Sequence, residues 1–476
     1  MASSPEQKKS YQVIKDFTGV NTQANRTAIK ENEFSWLENA MPVGFGNLKI
    51  TNTYSDVKIS NVAVTWANTV SYLSTANIGV SDYVLAFEED GRAEYYNITS
   101  GAKGNVAIAG TFSNAGVQIS QWENERVLII DPVKGYFTWD GNNTVSVGSI
   151  SKVTITNAGT GYTTAPNVTI SATQQTGGVN ATATCTVANG SVQTITITDA
   201  GTGYTNASNV TVTFSGGGGA NAAANVSVIN QPGTAIQSFS GRVWIANGRT
   251  IYYTAAGSYY DFTSVSAGNT ILTDATLHGN IQQLLSANNF LYIFGDDSIN
   301  VFSDVRVNTS GVTLFTNTNV SASVGSRLKY AIFPYFRSVL FMNDYGVYAL
   351  VGATTSKLSD PLDGVFPNID FTKPVYAGQV LVNNILCAAF NFYYTGVGPY
   401  PNGTPYNKYV QAVFFEKKWF FSNQLSTVKY VTSVPVAGKI NLYGSDGSNL
   451  VHLYNDSTSN VASIVQTALN AMSDPI

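Results

Sequence analysis

Phe290-Leu291-Tyr292-Ile293-Phe294, a polar Gly295-Asp296-Asp297 step and Ser298-Ile299-Asn300-Val301-Phe302 form the stretch on which the fold turns. The first run is continuously apolar, short, and rich in aromatic and β-branched residues. It reads as a strand buried on both faces, because a strand with one wet face would alternate. Gly and Asp then favour a tight turn, and the second run returns as a strand carrying an aromatic.

The same unit recurs along the chain. Upstream it is Tyr83-Val84-Leu85-Ala86-Phe87 with Ala93 to Tyr96, Arg126-Val127-Leu128-Ile129-Ile130 with Gly135 to Trp139, and Arg242-Val243-Trp244-Ile245-Ala246 with Thr250 to Tyr253. Downstream it is Ser338 to Met342 with Gly346 to Leu350, Ile385 to Ala389 with Gln411 to Phe415, and Ile440 to Tyr443 with Leu450 to Tyr454. Hairpins about 40 to 50 residues apart match propeller blades, which hide their faces only by stacking on neighbours. The expected fold is all-β: a β-propeller of roughly six or seven blades with an inserted small β-repeat domain. A string of β-sandwiches is the competing architecture. It explains hairpins but not their even spacing on both sides of an insert.

The insert is marked by its own repeat. Ile155-Thr156-Asn157-Ala158-Gly159-Thr160-Gly161-Tyr162 returns 42 residues later as Ile197-Thr198-Asp199-Ala200-Gly201-Thr202-Gly203-Tyr204. Val, Ile and Thr alternating between Gly and Asn punctuation predict three strands per copy. The glycines supply positive φ, while Tyr162 and Tyr204 either pack over their turns or point outward as recognition residues for a host or partner. Gly216 to Gly219 is a turn rather than a phosphate loop, since no Lys-Ser or Lys-Thr follows. The expected division is 1–150 for an N-terminal closing segment and the first blades, 151–230 for the insert, 231–456 for the remaining blades, and 457–476 for a C-terminal helix or tail. Tyr11 to Tyr54 is expected to complete the last blade. Phe34 and Leu37 suggest a helical turn over Glu33 to Asn39, and Val461, Ile464, Val465, Ala468, Leu469 and Met472 fall at helical spacing.

Composition sets the functional bounds. Charged residues make up 11% and aromatics 12% of the 476 residues, which describes a folded, weakly charged, β-rich chain. A net charge of -4 and the absence of any basic block argue against a phosphate-gripping surface, whereas a lumen that only guides DNA does better with a neutral or acidic wall. The N-terminus MASSPEQKKSYQVIKD has no apolar core and no stretch of 18 uncharged apolar residues occurs later, so neither a signal peptide nor a membrane span is expected, and synthesis in a cytosol follows.

Catalytic patterns are missing from the sequence. His278 and His452 stand apart, with no neighbouring carboxylate or cysteine at ligand spacing, and Cys185 and Cys387 suit neither a disulfide nor zinc. Glu88-Glu89-Asp90 and Asp296-Asp297 read as turn residues before they read as a glycosidase pair. Ser445-Asp446-Gly447 has the look of an aspartate box but occurs once and lacks the following Trp. The expectation is a chain with no enzymatic activity, no cofactor and no metal.

Asp16-Phe17-Thr18-Gly19-Val20-Asn21, Phe34-Ser35-Trp36-Leu37-Glu38-Asn39-Ala40 and Gly44-Phe45-Gly46-Asn47-Leu48, with Gly241-Arg242-Val243-Trp244 and Tyr260-Asp261-Phe262 further on, resemble the tail nozzle and tail-hub propellers of short-tailed bacteriophages. The Gly-Thr-Gly-Tyr repeats are similar to small domains inserted in phage tail and capsid proteins. The resemblance implies a structural virion protein located in the tail, assembled as a homohexamer below a tail adaptor, with contacts to other tail or fibre proteins and with DNA passing without specific binding. It marks Phe34, Trp36, Leu37 and Phe45 as a candidate assembly segment. Nozzle proteins often carry a further tip domain, and this sequence ends at Ile476. A receptor- or glycan-binding tail protein, adhesin-like and facing a host surface, is the alternative.

Overall fold

A computed structural model describes residues 16–44, 46–273, 277–399 and 403–468. Its strands form seven sheets, antiparallel except at the outer edge of the sixth, whose inner strands neighbour one another in a closed circle: Val70–Ile78, Gln118–Trp122, Ala235–Phe239, Gln283–Ala287, Ile332–Tyr335, Tyr376–Val382 and Tyr430–Val436, which returns to Val70–Ile78. The protein is a seven-bladed β-propeller.

The hairpins legible in the sequence are the second and third strands of the seven blades. Side chains alternate across a strand, so one apolar run serves two interfaces. Val127 and Ile129 pack toward the first blade with Leu85 and Phe87, while Leu128 and Ile130 pack toward the third with Val243 and Ile245. Trp244 and Ala246 then meet Leu291 and Ile293, and Tyr292 and Phe294 meet Val339 and Phe341. Each blade thus supplies one half of two apolar layers.

Arg242, within the second strand of the third blade, is 1% exposed. Its Nη1 donates to the carbonyls of Thr254 (2.6 Å) and Ser266 (2.8 Å), tying down the long connection before the outer strand Gly268–Ile271. The Gly-Arg-Val-Trp motif is a blade-locking device.

Ring closure is shared between two blades. Ser55–Asp56, just past the segment expected to provide it, pairs with Val451 and His452 as the outer strand of the seventh blade. Gly19–Val20 and Glu33–Glu38 lie on the outer edge of the sixth blade instead. Glu33 to Asn39 is therefore extended, not a helical turn. Glu38 pairs in parallel with Phe421, and Phe34, Trp36, Leu37 and Glu38 pair with Thr467, Gln466, Val465 and Ile464. Backbone groups engaged in ladders on both sides outweigh a three-residue apolar spacing. For the same reason Ile464–Thr467 is a strand rather than part of a helix; Leu469 and Met472 lie outside the described residues.

The candidate assembly segment is correspondingly interior. Phe34, Trp36 and Leu37 are all buried, the Trp36 ring stacking on Phe421 at 4.2 Å, and Phe45 lies outside the described residues. Glu38 beside them accepts from Trp36 Nε1 at 2.9 Å and from the Tyr406 hydroxyl. Asn39 is the junction. At φ +57 its N–H donates to Phe421 O, its Nδ2 donates to Ala462 O at 2.9 Å, and its Oδ1 accepts from Ser422 Oγ and the Asn423 N–H.

The insert leaves the ring between the second and third blades. Ser149–Thr160 pairs with Ala220–Ile229, and Ser191–Asp199, Thr182–Ala188, Asn167–Ile170 and Val212–Ser215 make a four-stranded sheet. They enclose a separate core around Ile150, Val168, Ile170 and Tyr204. The two ends meet, since Ser149 pairs with Ile229.

Asn39→Ala is expected to lower stability by about 2–4 kcal/mol, from lost hydrogen bonds plus an unfavoured left-handed backbone. Urea denaturation measures this, and Asn39→Gly separates the two contributions. Excising residues 149–229 with a short Gly linker is expected to leave a cooperatively melting β-protein by circular dichroism; an unfolded product would make the insert part of the ring's core.

Candidate functional site: the axial cavity

The inner strands all begin at one end of the propeller axis, and tyrosines fill that end. Tyr330 stacks on Tyr376 at 4.9 Å with planes 5° apart and on Tyr72 at 4.6 Å, while Tyr430 meets Tyr376 edge-on at 5.4 Å. These side chains come from the entries to the fifth, sixth, first and seventh blades. Tyr330 reaches across the axis, its hydroxyl donating to Val117 O at the entry to the second blade at 2.8 Å. Burial pushes the Tyr72 phenol up to about 12 and those of Tyr330 and Tyr376 well above their ordinary value, so none ionises near neutral pH.

Beyond the plug lies a cavity of about 460 Å³ touched by every blade, through Leu73, Ile119, Gln237, Gln283, Phe333, Gln379 and Ser433 in turn. Inner strands look onto this space, which explains why they mix Gln, Ser and Thr with apolar residues. Lys329, next to the plug, is the charged side chain among the lining residues; no Asp, Glu, His or Cys lines the cavity. Its amine sits 4.8 Å from the Tyr330 ring centroid, and burial lowers its pKa. The arrangement suits binding: the buried phenols stay protonated near neutral pH, and the lining holds no carboxylate, imidazole or thiol. A second hollow, 720 Å³, lies at the opposite end among hairpin turns that include Ser240, Asn288 and Asn289.

The residues singled out from the sequence are dispersed. Tyr162 and Tyr204 are buried, not outward-pointing. Tyr204 donates to Ser171 O at 3.1 Å and accepts from the Ala181 N–H at 2.8 Å, and its ring covers Gly201, whose φ of +64 and lack of Cβ make the close approach possible. His278 does have a carboxylate neighbour, Asp297 at 3.2 Å, because the turn after Phe294 folds back on it. His452 stacks on Tyr443 at 4.8 Å, and burial holds its pKa down. Asp446 is a turn residue, its Oδ1 accepting from the Ser448 and Asn449 N–H groups at 2.8 Å. Cys185 and Cys387 are both free thiols. Among the described residues no group of three or more His, Cys, Asp or Glu could hold a metal ion, and no helix is long and apolar enough to cross a membrane.

One acidic pair escaped the sequence reading. Glu88, at the end of a second strand, is buried beside Glu94, which itself binds Lys103 at 2.7 Å and accepts from the Ala67 N–H at 2.9 Å. Burial first, then the Glu94 charge, raises Glu88 to about 7. Lys103 also lies 5.7 Å from the Trp66 ring, and Arg92 stands 3.8 Å from Glu88. The pair lies away from the axial cavity, among the contacts that join the first blade to the closing segment.

No known family model matches the chain, and no curated protein matches its sequence. Among solved structures it is similar to BamB from Moraxella catarrhalis (12% identity over 87% of this chain and 95% of that one, TM-score 0.36). YCF48 bound to D1 peptide shares 9% identity over 83% and 96% (TM-score 0.41), and the RRP9 WD40 repeats share 7% over 85% and 98% (TM-score 0.41).

Because Glu88 binds its proton more tightly folded than unfolded, its stabilising contribution is complete below the ordinary carboxyl value of 4.5 and is lost as pH rises through about 7. Glu88→Gln is expected to raise stability at pH 8 by roughly 1 kcal/mol or more and to flatten the decline between pH 5 and 7 in thermal melts.

Proposed function

We propose that the chain is a structural virion protein of a phage tail, a nozzle or hub whose six copies ring the tail axis and bound the conduit through which DNA is ejected. The observation that carries this reading is the position of the nozzle-like motifs within the propeller. Asp16 to Asn21 and Phe34 to Ala40 supply the strands that edge the sixth blade and the Asn39 junction, and Gly241 to Trp244 opens the second strand of the third blade. The resemblance therefore tracks the closure of the ring rather than a detachable segment.

Two physical features fit such a role. Tyr330 crosses the axis of the individual propeller, so a DNA passage runs between copies and not through one. With 25 basic and 29 acidic residues, a wall built from these copies holds phosphate weakly, which lets DNA slide. Neighbours in this reading are other copies, the tail adaptor and further tail or fibre proteins, with the insert projecting from the ring. The adhesin-like alternative leaned on exposed tyrosines of the insert, and both Tyr162 and Tyr204 are buried.

Native mass spectrometry of the purified protein is expected to show, alone or on adding the adaptor, a particle six times the 50.8 kDa chain. Antibody labelling of virions should fall on the tail axis. Threefold particles, or label on peripheral fibres, would overturn the proposal.

A further inference from the structure

The geometry points to the axial cavity as a binding site for an organic monocarboxylate with an apolar body, its carboxylate seated on Lys329. Two observations carry it, and neither depends on the tail reading. First, the Lys329 amine is drawn in beside the tyrosine plug, so close to Gly116 that a Cβ there would lie 3.4 Å away. Its described contact is the face of Tyr330, and among the described residues no carboxylate forms an ion pair with it. A partly buried ammonium without a counter-ion is unfavourable, and an incoming anion would relieve it. Second, the cavity opening onto it falls within the size range of small-molecule sites and has apolar walls in Leu73, Phe333 and Ile440.

The charge count selects the ligand. One amine, with no guanidinium and no acidic group in the lining, matches a single negative charge. A phosphate dianion is better served by an Arg fork or a nest of backbone N–H groups, and a metal cation would be repelled. The carboxylate accepts from the ammonium and the apolar body covers the hydrophobic wall.

4-Hydroxybenzoate is a suitable probe and 4-hydroxybenzamide its neutral counterpart, both titrated calorimetrically against the full chain. The acid is expected to bind at least about tenfold more tightly than the amide, Lys329→Gln to abolish the difference, and Lys329→Arg to retain it. Equal affinities for acid and amide, unchanged acid binding in Lys329→Gln, or no saturable acid binding at millimolar concentration would each overturn the assignment. Should Lys329→Gln fail to fold, acetic anhydride labelling of the unaltered protein decides. The acid should slow acylation of Lys329 while leaving exposed Lys439 unaffected, and equal labelling of Lys329 with and without acid refutes the site.

Discussion

Two residues, Ser55 and Asp56, laid along Val451 and His452 complete the seventh blade, and the ring depends on that short ladder. Every blade presents two apolar faces and has no means of covering either alone. If the ladder opens, the cost is not two hydrogen bonds but the exposure of a whole interblade layer, with buried residues such as Val431, Leu442 and Val451. The chain reinforces this point by continuing the pairing irregularly: Val57 N–H donates to Leu450 O, Leu450 N–H to Val64 O, and Trp66 N–H to Ser448 O. Nearby, the Asn39 junction binds the N-terminal strand, the sixth blade and the chain beyond the seventh blade into one unit.

What could be read from the residues follows from where water is. Second strands such as Val127 to Ile130 are dry on both faces, so their apolar runs stand out, and the blade hairpins emerge from them directly. Inner strands such as Gln118–Trp122 face the axial space and alternate, and outer strands such as Thr144–Ser146 are short and polar; neither class advertises itself. The Glu33 to Asn39 segment misleads because its partners, Phe421 and Ile464 to Thr467, lie about four hundred residues away. Local spacing carries no trace of them. The turn role of Tyr204 was legible as one of two options, and the Gly201 contact decides between them. Lys329 was invisible for a different reason: a single lysine is significant only when its surroundings are known.

The tyrosine plug also divides the molecule functionally. It separates the end of the axis where the inner strands begin, and where the insert departs, from the cavity on its other side. A protomer closed in this way offers a rigid wall to its neighbours while keeping a sheltered compartment of its own. The insert, with a core independent of the ring, adds reach without burdening the blade contacts. Asp199 in the insert accepts from the Tyr260 hydroxyl of the third blade at 3.1 Å, while Gln175 Oε1 accepts from the Ser146 N–H at 2.8 Å and the Gly203 N–H donates to Ser146 O at 2.9 Å, so contacts to both flanking blades set its orientation.

The pairing of Phe34 with Thr467 and of Asp56 with Val451 has a consequence for biosynthesis. The strands that finish the sixth and seventh blades leave the ribosome some four hundred residues before the partners they wait for. Blades one to five can stack as they emerge, but the circle cannot shut until residues 451 to 467 are made. Contacts this remote in sequence slow folding and prolong the lifetime of an open arc with two uncovered oily ends. A nascent chain of this design therefore places its greatest demand on chaperones in the interval before residues 451 to 467 emerge, when the open arc still lacks its closing partners.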